Sequence, residues 1–309
     1  MNALDVVTFG ETMAVLIAEP GVPLTEATSF RRTVAGSESN VAIGLARLGH
    51  RVGWFGRVGA DAFGHVVHRA IRGEGVDTRH VVVDPEGPTG LLIRDAHGGR
   101  GVDVLYFRSQ SAGSRLAPAD VDPDYIASAR ILHVSGITPL LSDDAREATA
   151  HAVDIARQRG VLVSFDPNIR RRLADDDRAR EVLQPLAESA DIVLAGDDEA
   201  DLLSGGTGAR WFLDRGADLV VIKQGAAGAW ATDGETTWRQ PPTPVDPVDP
   251  VGAGDAFAAG FLSGLIHGED VPGRLRRAAA YGAFAVTAVG DTEGLPREIP
   301  SAAVTDVRR

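Results

Sequence analysis

The chain has 309 residues, 44% of them apolar, enough to bury one large α/β domain or two smaller ones. Its net charge of −12 argues against a nucleic-acid or anionic-membrane partner, so any polyanionic ligand needs a locally concentrated positive field. The absence of cysteine excludes disulfides, thiolate metal sites and a cysteine nucleophile.

Short apolar runs alternate with helical patterns. Residues 6–10 read as a first strand. The start of the chain has acidic Asp5 and no basic leader before an apolar run, and no stretch reaches the length of a membrane span. A cytoplasmic enzyme is the expectation. Residues 39–48 read as a helix with Val41, Leu45 and Leu48 on one face and Gly49 at its stop. A strand over 51–58 and a helix over 63–72 follow. Two segments break the rhythm: 15–30 is irregular or extended, and 90–95 and 102–108 read as strands around the turn His97-Gly98-Gly99-Arg100-Gly101. We read these as a small β lid, formed by insertions at about 12–35 and 88–112 of a single domain spanning 1–309, because a cover of this kind excludes water from a reacting ligand. A decorative hairpin is the plainer alternative.

Further on, 130–134 reads as a strand, 142–159 as a helix stopped by Gly160, 161–166 as a strand, 178–189 as a helix, and 191–195 and 219–223 as strands. Residues 254–266 and 274–289 are the last two helices. Alternation of this kind means parallel strands joined by right-handed crossovers, a layered α/β sheet. Ligands of such sheets bind beyond the carboxyl ends of the strands. Gly10-Glu11, Ser135-Gly136, Asp166-Pro167-Asn168 with Arg170, Asp197-Asp198-Glu199, and Lys223-Gln224-Gly225 with Gly228 all fall there.

The segment Asp249-Pro250-Val251-Gly252-Ala253-Gly254-Asp255 opens an apolar helix. Gly252, Ala253 and Gly254 let a phosphate approach backbone N–H groups that have no intrahelical partner, and the helix dipole favours the anion. Asp255 then stands where a carboxylate can accept a proton from an attacking hydroxyl. The same residues also suit a plain glycine turn with Asp255 complementing the dipole. No G-x-x-x-x-G-K-[ST] loop occurs, and Phe257 replaces the third glycine of a dinucleotide fingerprint.

With these residues in view the whole chain resembles the ribokinase-like (PfkB) carbohydrate kinases. The segment from Asp249 to Leu262 fits that family's carboxyl-terminal signature. Ala35-Gly36, Asn40, Ala42, Gly49 and Gly59 fit the amino-terminal one, with a departure at Ser37-Glu38. Within the family the chain is most similar to 2-keto-3-deoxygluconate kinases, through Gly10-Glu11, Tyr106-Phe107-Arg108 with Ser111 to Ser114, Ser135-Gly136-Ile137 and Asp166-Pro167-Asn168-Ile169-Arg170. The resemblance implies a three-layer α/β/α sandwich with a mostly parallel central sheet and a small β-sheet lid. It implies that Gly36, Asn40, Tyr106, Arg108, Ile137, Arg170, Asp255 and Asp291 surround a sugar acid, and that Asn168, Lys223, Gly225, Gly228, Gly252, Ala253 and Gly254 face ATP. Glu199 is implied to meet Mg²⁺ through water, although Gly196 stands where an asparagine is usual. The loop holding Asp291 is a candidate for a monovalent cation such as K⁺, and a homodimer through the lid is expected.

The expected reaction is transfer of the γ-phosphoryl group of ATP to the C6 hydroxyl of 2-keto-3-deoxygluconate or a close relative, with Asp255 as proton acceptor. Arg108 and Arg170 suit a carboxylate-bearing sugar. Leu92 replaces a tyrosine that similar kinases can carry, which leaves fructose, ribose, 2-keto-3-deoxygalactonate or a nucleoside as alternative substrates. A non-catalytic sugar sensor on the same fold is a more distant alternative.

Overall fold

A computed structural model of the chain describes residues 4–96 and 103–299. The chain opens with β1 (Leu4–Phe9), then pairs β2 (Met13–Ala18) with β3 (Phe30–Ala35) before α1 (Ser37–Arg47). Next come β4 (Val52–Phe55), β5 (Arg57–Gly59), α2 (Ala62–Gly73) and β6 (Val82–Asp84), then β7 (Leu91–Arg94) and β8 (Val104–Phe107). The middle of the chain holds α3 (Pro123–Ala127), β9 (Ala129–Ser135), α4 (Asp143–Gln158), β10 (Leu162–Asp166), α5 (Asp176–Ala187) and β11 (Ile192–Gly196). It continues through α6 (Asp197–Ser204), α7 (Ala209–Leu213) and β12 (Leu219–Lys223). The antiparallel pair β13 (Ala229–Thr232) and β14 (Thr237–Gln240) precedes α8 (Ala253–Ile266) and α9 (Val271–Ala285).

The central sheet has the order β14-β13-β12-β11-β10-β9-β1-β4. Strands β4, β1, β9, β10, β11 and β12 run parallel, and β13 and β14 reverse direction at one edge. Alternate residues of each parallel strand serve opposite faces. Val7, Leu132, Val193 and Val220 pack under α3 to α7, whereas Val6, Ile131, Ile192 and Val221 pack under α1, α2, α8 and α9. Both faces are covered, so the strands read as continuous apolar runs without polar alternation. The result is the expected three-layer sandwich.

A second sheet, β3-β2-β7-β8, has four strands and its own small core of Met13, Val15, Ile17, Ala35, Leu92 and Ala96. The segment around 15–30 therefore contains a regular strand and the start of another, which the sequence pattern did not separate. The turn His97 to Gly101 lies outside the described residues.

Two other boundaries differ from expectation for physical reasons. The strand expected over 51–58 breaks at Gly56, where a side chain would meet the Gly10 carbonyl oxygen at 2.3 Å, and the chain leaves the main sheet so that β5 pairs with β6. The last helix begins at Val271, because Asp270 caps it by accepting from the Gly273 N–H at 2.8 Å. It ends at Ala285, because the Val286 carbonyl accepts from the N–H groups of Val248 and Asp249 and so joins the chain leading into α8. Among the described residues no helix is long and apolar enough to cross a membrane.

Candidate active site

The site forms where the carboxyl ends of the parallel strands meet the N-terminus of α8. Gly252 caps that helix with φ 79°, a left-handed conformation, and a β-carbon there would lie 2.3 Å from the Asp291 carbonyl oxygen. No side chain caps the first turn. Its amides at Ala253 and Gly254 are thus left for an anion. The Lys223 ammonium, from the end of β12, stands 3.8 Å from where a Gly254 side chain would begin.

Asp255 follows in the same turn, and both its oxygens are engaged. Oδ1 accepts from Ser37 Oγ at 2.8 Å and from Asn168 Nδ2 at 3.3 Å; Oδ2 accepts from Asn40 Nδ2 at 2.8 Å. Ser37 and Asn40 come from the start of α1, Asn168 from the turn after β10. Asn40 Nδ2 also donates to Asp291 Oδ2 at 3.1 Å, so one amide bridges two buried carboxylates. Burial raises the Asp255 pKa above the ordinary carboxylate value, while hydrogen bonds from Asn40 and Ser37 and the charges of Arg170 and Lys223 pull it back. Burial, reinforced by the negative charge of Asp255, pushes Asp291 up to about 7. Donors on both oxygens fix the direction of the remaining lone pairs of Asp255, and burial raises its affinity for a proton. Both properties suit a general base.

Beside this group Lys223 Nζ donates to Asp166 Oδ2 at 2.6 Å. Burial opposes the ammonium charge, but Asp166, Glu199 and Asp255 together hold the Lys223 pKa above its ordinary value, so it stays protonated. Asn168 adopts φ 42°, and its N–H donates to Asp166 Oδ1 at 3.2 Å. Glu199 spends both oxygens on backbone: Oε2 accepts from Gly196 N–H at 2.7 Å, closing a capping box for α6, and Oε1 accepts from Ile169 N–H at 2.8 Å. It clasps the 167–170 turn to α6.

A cavity of about 1470 Å³ opens next to this constellation, between β8, the 3₁₀ turn Gly113–Arg115 and the loop after β10. Its walls include Arg108, Arg115, Arg170, Arg171 and Arg172, against a single carboxylate, Asp144. Asp255 and the α8 turn do not line it. Arg170 belongs to both regions, since it lines the cavity and its charge lowers the pKa of Asp255. Arg108, Arg115 and Arg171 have carboxylate partners outside the lining, in Glu11, Asp84 with Glu86, and Asp176.

A family model, "pfkB family carbohydrate kinase", matches residues 3–298. The chain belongs to the PfkB carbohydrate kinase family. It is 40% identical to the 2-dehydro-3-deoxygluconokinase of Bacillus subtilis (strain 168), over 95% of this chain and 93% of that one. It is 34% identical to the 5-dehydro-2-deoxygluconokinase of Geobacillus kaustophilus (strain HTA426), over 89% and 85%. Among solved structures it is similar to the ATP and Mg²⁺ complex of an E. coli protein provisionally named ribokinase II, with TM-score 0.87, 30% identity and coverage of 94% and 96%.

Within this PfkB kinase, the residues expected at the site separate into groups. Asp255, Asn40 and Asp291 are joined by hydrogen bonds, and Asn168 reaches the same cluster. Tyr106, Arg108 and Arg170 line the cavity. Gly36 caps α1, where a side chain would collide with the Glu11 carbonyl oxygen at 2.4 Å. Ile137 starts the 3₁₀ turn Thr138–Leu140 and does not line the cavity. Gly225 and Gly228 shape the turn from β12 to β13, closed by Gln224 N–H to the Gly228 carbonyl.

One residue expected to meet the ligand already has a protein partner. The Arg108 guanidinium is not a free cation: its Nη2 pairs with Glu11 Oε2, and Ser111 Oγ donates to Glu11 Oε1. Glu11 is buried, and Arg108 neutralises it from the cavity wall. Leu92 points into the core of the second sheet. The sequence reading also assigned no role to Ser37, whose hydroxyl orients Asp255, or to Glu38, in the same departure from the family signature. A hydroxyl and a carboxylate beside the expected glycine at the start of α1 were the available signals.

Glu38 is fully buried, accepts from Thr138 Oγ1 at 2.5 Å and leaves Oε2 without a hydrogen bond. Burial pushes its pKa up to about 8. A carboxyl whose folded pKa lies above its unfolded value stabilises the fold fully below the unfolded pKa, and this contribution is lost as pH rises through the folded pKa. Stability should therefore fall between 4.5 and about 8 on account of Glu38, with Asp291 acting in the same direction. Glu38→Gln, which keeps the shape and removes the charge, is expected to flatten this slope by an amount of order a few kcal/mol. Thermal unfolding of both proteins across that pH range checks it; parallel curves would mean that Glu38 ionises freely.

Proposed function

We propose that the chain is an ATP-dependent kinase that transfers the γ-phosphoryl group to the C6 hydroxyl of 2-keto-3-deoxygluconate or a closely related keto-deoxy sugar acid. The observation that carries the sugar-acid reading is the arginine-lined cavity, in whose wall stands Arg170, a residue whose charge acts on Asp255. The two relatives named above act, by their names, on dehydro-deoxygluconates, which are anionic at neutral pH. The similar E. coli structure was solved with ATP and Mg²⁺, which supports the nucleotide assignment.

In this mechanism Asp255 orients the sugar hydroxyl and accepts its proton as the oxygen–phosphorus bond forms. Little nucleophile charge is required early in a loose transition state. Ser37 and Asn40 fix the carboxylate by donating to its two oxygens. The amides of Ala253 and Gly254 and the Lys223 ammonium stabilise charge on the phosphoryl oxygens. The residues suit a hydrated Mg²⁺ better than an all-protein cage, since no cluster of three or more metal-ligating side chains occurs among the described residues. Glu199 would hold the ion through water, and when bound it supplies charge neutralisation to the phosphates. The second sheet acts as the lid, bringing Tyr106 over the sugar. Its exposed Phe30, Leu105 and Phe107 are where a second copy would pair.

A coupled ADP-release assay over keto-deoxy acids, neutral hexoses, pentoses and nucleosides tests the reading. Preferred turnover of a dehydro-deoxy acid is the expected result, and comparing the 2-dehydro-3-deoxy with the 5-dehydro-2-deoxy isomer assigns the keto position. Preference for a neutral sugar or nucleoside would overturn the acid reading. Tight sugar binding with no ATP-dependent product would establish a sensor.

A further inference from the structure

The loop 289–292 packs against the Gly252 turn and carries Asp291 into the catalytic cluster. The family resemblance makes it a candidate for a monovalent cation. Such an ion replaces its hydration shell with several carbonyl and carboxylate oxygens. Here those oxygens are engaged by guanidinium groups from three different elements. Arg31, on β3, donates from Nη2 to the Val289 carbonyl at 2.7 Å. Arg47, at the end of α1, donates from Nη1 to the carbonyls of Thr292 at 2.5 Å and Leu295 at 3.0 Å. Arg94, on β7, places Nη2 2.5 Å from Oδ2 of Asp249, the one buried carboxylate on the approach to α8. Each guanidinium is itself matched by a carboxylate, Arg31 by Glu293, Arg47 by Glu74 and Arg94 by Asp249, so the carbonyls of Val289, Thr292 and Leu295 and the Asp249 carboxylate already have cationic donors in place of a metal ion. The residues do not fit a monovalent metal ion.

The Arg94–Asp249 pair is the centre of this arrangement. Arg94 is 2% exposed and Asp249 4% exposed, so neither charge is tolerable without the other. Asp249 uses its two oxygens to tie two segments together. Oδ1 accepts from Val251 N–H at 3.2 Å, next to the Gly252 cap, and Oδ2 accepts from Gly290 N–H at 3.0 Å, next to Asp291. Arg94 thus holds the carboxylate that sets both the anion-binding turn and the loop of Asp291. It reaches them from the second sheet, one residue along β7 from Ile93 and on the same face as Leu92.

We infer that Arg94 is a built-in counter-cation: it positions Asp249 and, through it, the Gly252 turn, and the enzyme works without a monovalent metal ion. Arg94 is a positioning residue, since it acts through Asp249. The inference rests on the kinase reading for its turnover arm only; its stability arm does not depend on the identity of the substrate.

The test compares wild type, Arg94→Ala and Arg94→Lys in potassium chloride and in tetramethylammonium chloride at equal ionic strength, reading unfolding temperature and ATP-dependent turnover. Wild type is expected to behave identically in the two salts. Arg94→Ala is expected to lose turnover by about tenfold or more in the tetramethylammonium salt, because a buried charge is left unpaired next to the anion-binding turn. Added guanidinium or potassium ion should restore part of that loss and raise the unfolding temperature of this variant alone, a response that a merely structural arginine would not give. Arg94→Lys, which keeps the charge, should lie between the two. A wild type activated or stabilised by potassium over tetramethylammonium overturns the inference, as does Arg94→Ala with undiminished turnover. If Arg94→Ala does not fold, the wild-type salt comparison and Arg94→Lys decide it. If no sugar acid is turned over, the unfolding temperatures still do.

Discussion

Asp255→Asn is expected to lower kcat by about 10²–10⁴-fold, the range spanned by loss of a positioned general base. The KM values for sugar and ATP should change little, because the amide keeps the shape of the carboxylate and the Gly252 turn is untouched. The hydrogen-bond partners argue that the fold survives. Ser37 Oγ, which donates to Oδ1, can turn to present a lone pair to an amide nitrogen, whereas Asn40 Nδ2 and Asn168 Nδ2 can only donate. One side of the new amide therefore finds an acceptor. Stability also has a sign. Burial raises the Asp255 pKa, so the folded protein pays to ionise it as pH rises above the ordinary carboxylate range. The variant does not, and its stability relative to wild type should increase toward high pH. Steady-state kinetics with thermal unfolding at several pH values checks both parts. Near-normal turnover by a folded variant would remove Asp255 from the base role.

How much of this site the sequence displays depends on how local each part is. The phosphate cradle is legible because one stretch supplies the open backbone amides and, immediately afterwards, the acid. The central strands are legible because burial on both faces makes them unbroken apolar runs such as Leu219–Lys223. The pairings are another matter. Ser37 and Asp255 are separated by 218 positions, Ser111 and Glu11 by 100, and Arg94 and Asp249 by 155. Periodicity carries no information about partners at such separations. Arg108 consequently looks like a free cation until Glu11 is seen beneath it. Arg94 looks like one more polar residue in a short strand, although its burial makes it one of the most constrained charges in the chain. Leu92 shows the same limit in an apolar residue: the sequence displays the two strands and the turn between them, but not the register that sets Leu92 opposite Tyr106. The small-sheet core then accounts for its leucine.

Arg170→Ala is expected to reduce kcat/KM for the sugar acid by about 10–100-fold, corresponding to loss of a charged hydrogen-bonding contact worth roughly 1.5–3 kcal/mol. The choice of Arg170 among five cavity arginines rests on what the others already hold. Arg108 pairs with Glu11, and Arg115 with Asp84 and Glu86. Arg171 lies 3.4 Å from Asp176, and Arg172 donates to the Val104 carbonyl at 2.7 Å. The Arg170 side chain has no hydrogen-bond or ion-pair partner among the described residues, so its guanidinium is available to a ligand. Two anions compete for it, the sugar carboxylate and the phosphoryl group in transfer, and kinetics separates them. A carboxylate contact made equally in ground and transition states raises KM with kcat preserved, and the loss disappears with a neutral sugar analogue. A phosphoryl contact lowers kcat for acid and neutral sugars alike. Arg170→Lys should recover only part of either effect, because a point charge does not reproduce the planar fork. The pH profile gives a further readout. Arg170 pulls the Asp255 pKa down, so its removal should move the acidic limb of the profile to higher pH. An Arg170→Ala enzyme with unchanged kcat/KM and an unmoved acidic limb would mean that the anion is held elsewhere, and that the cavity arginines serve its walls and not its ligand.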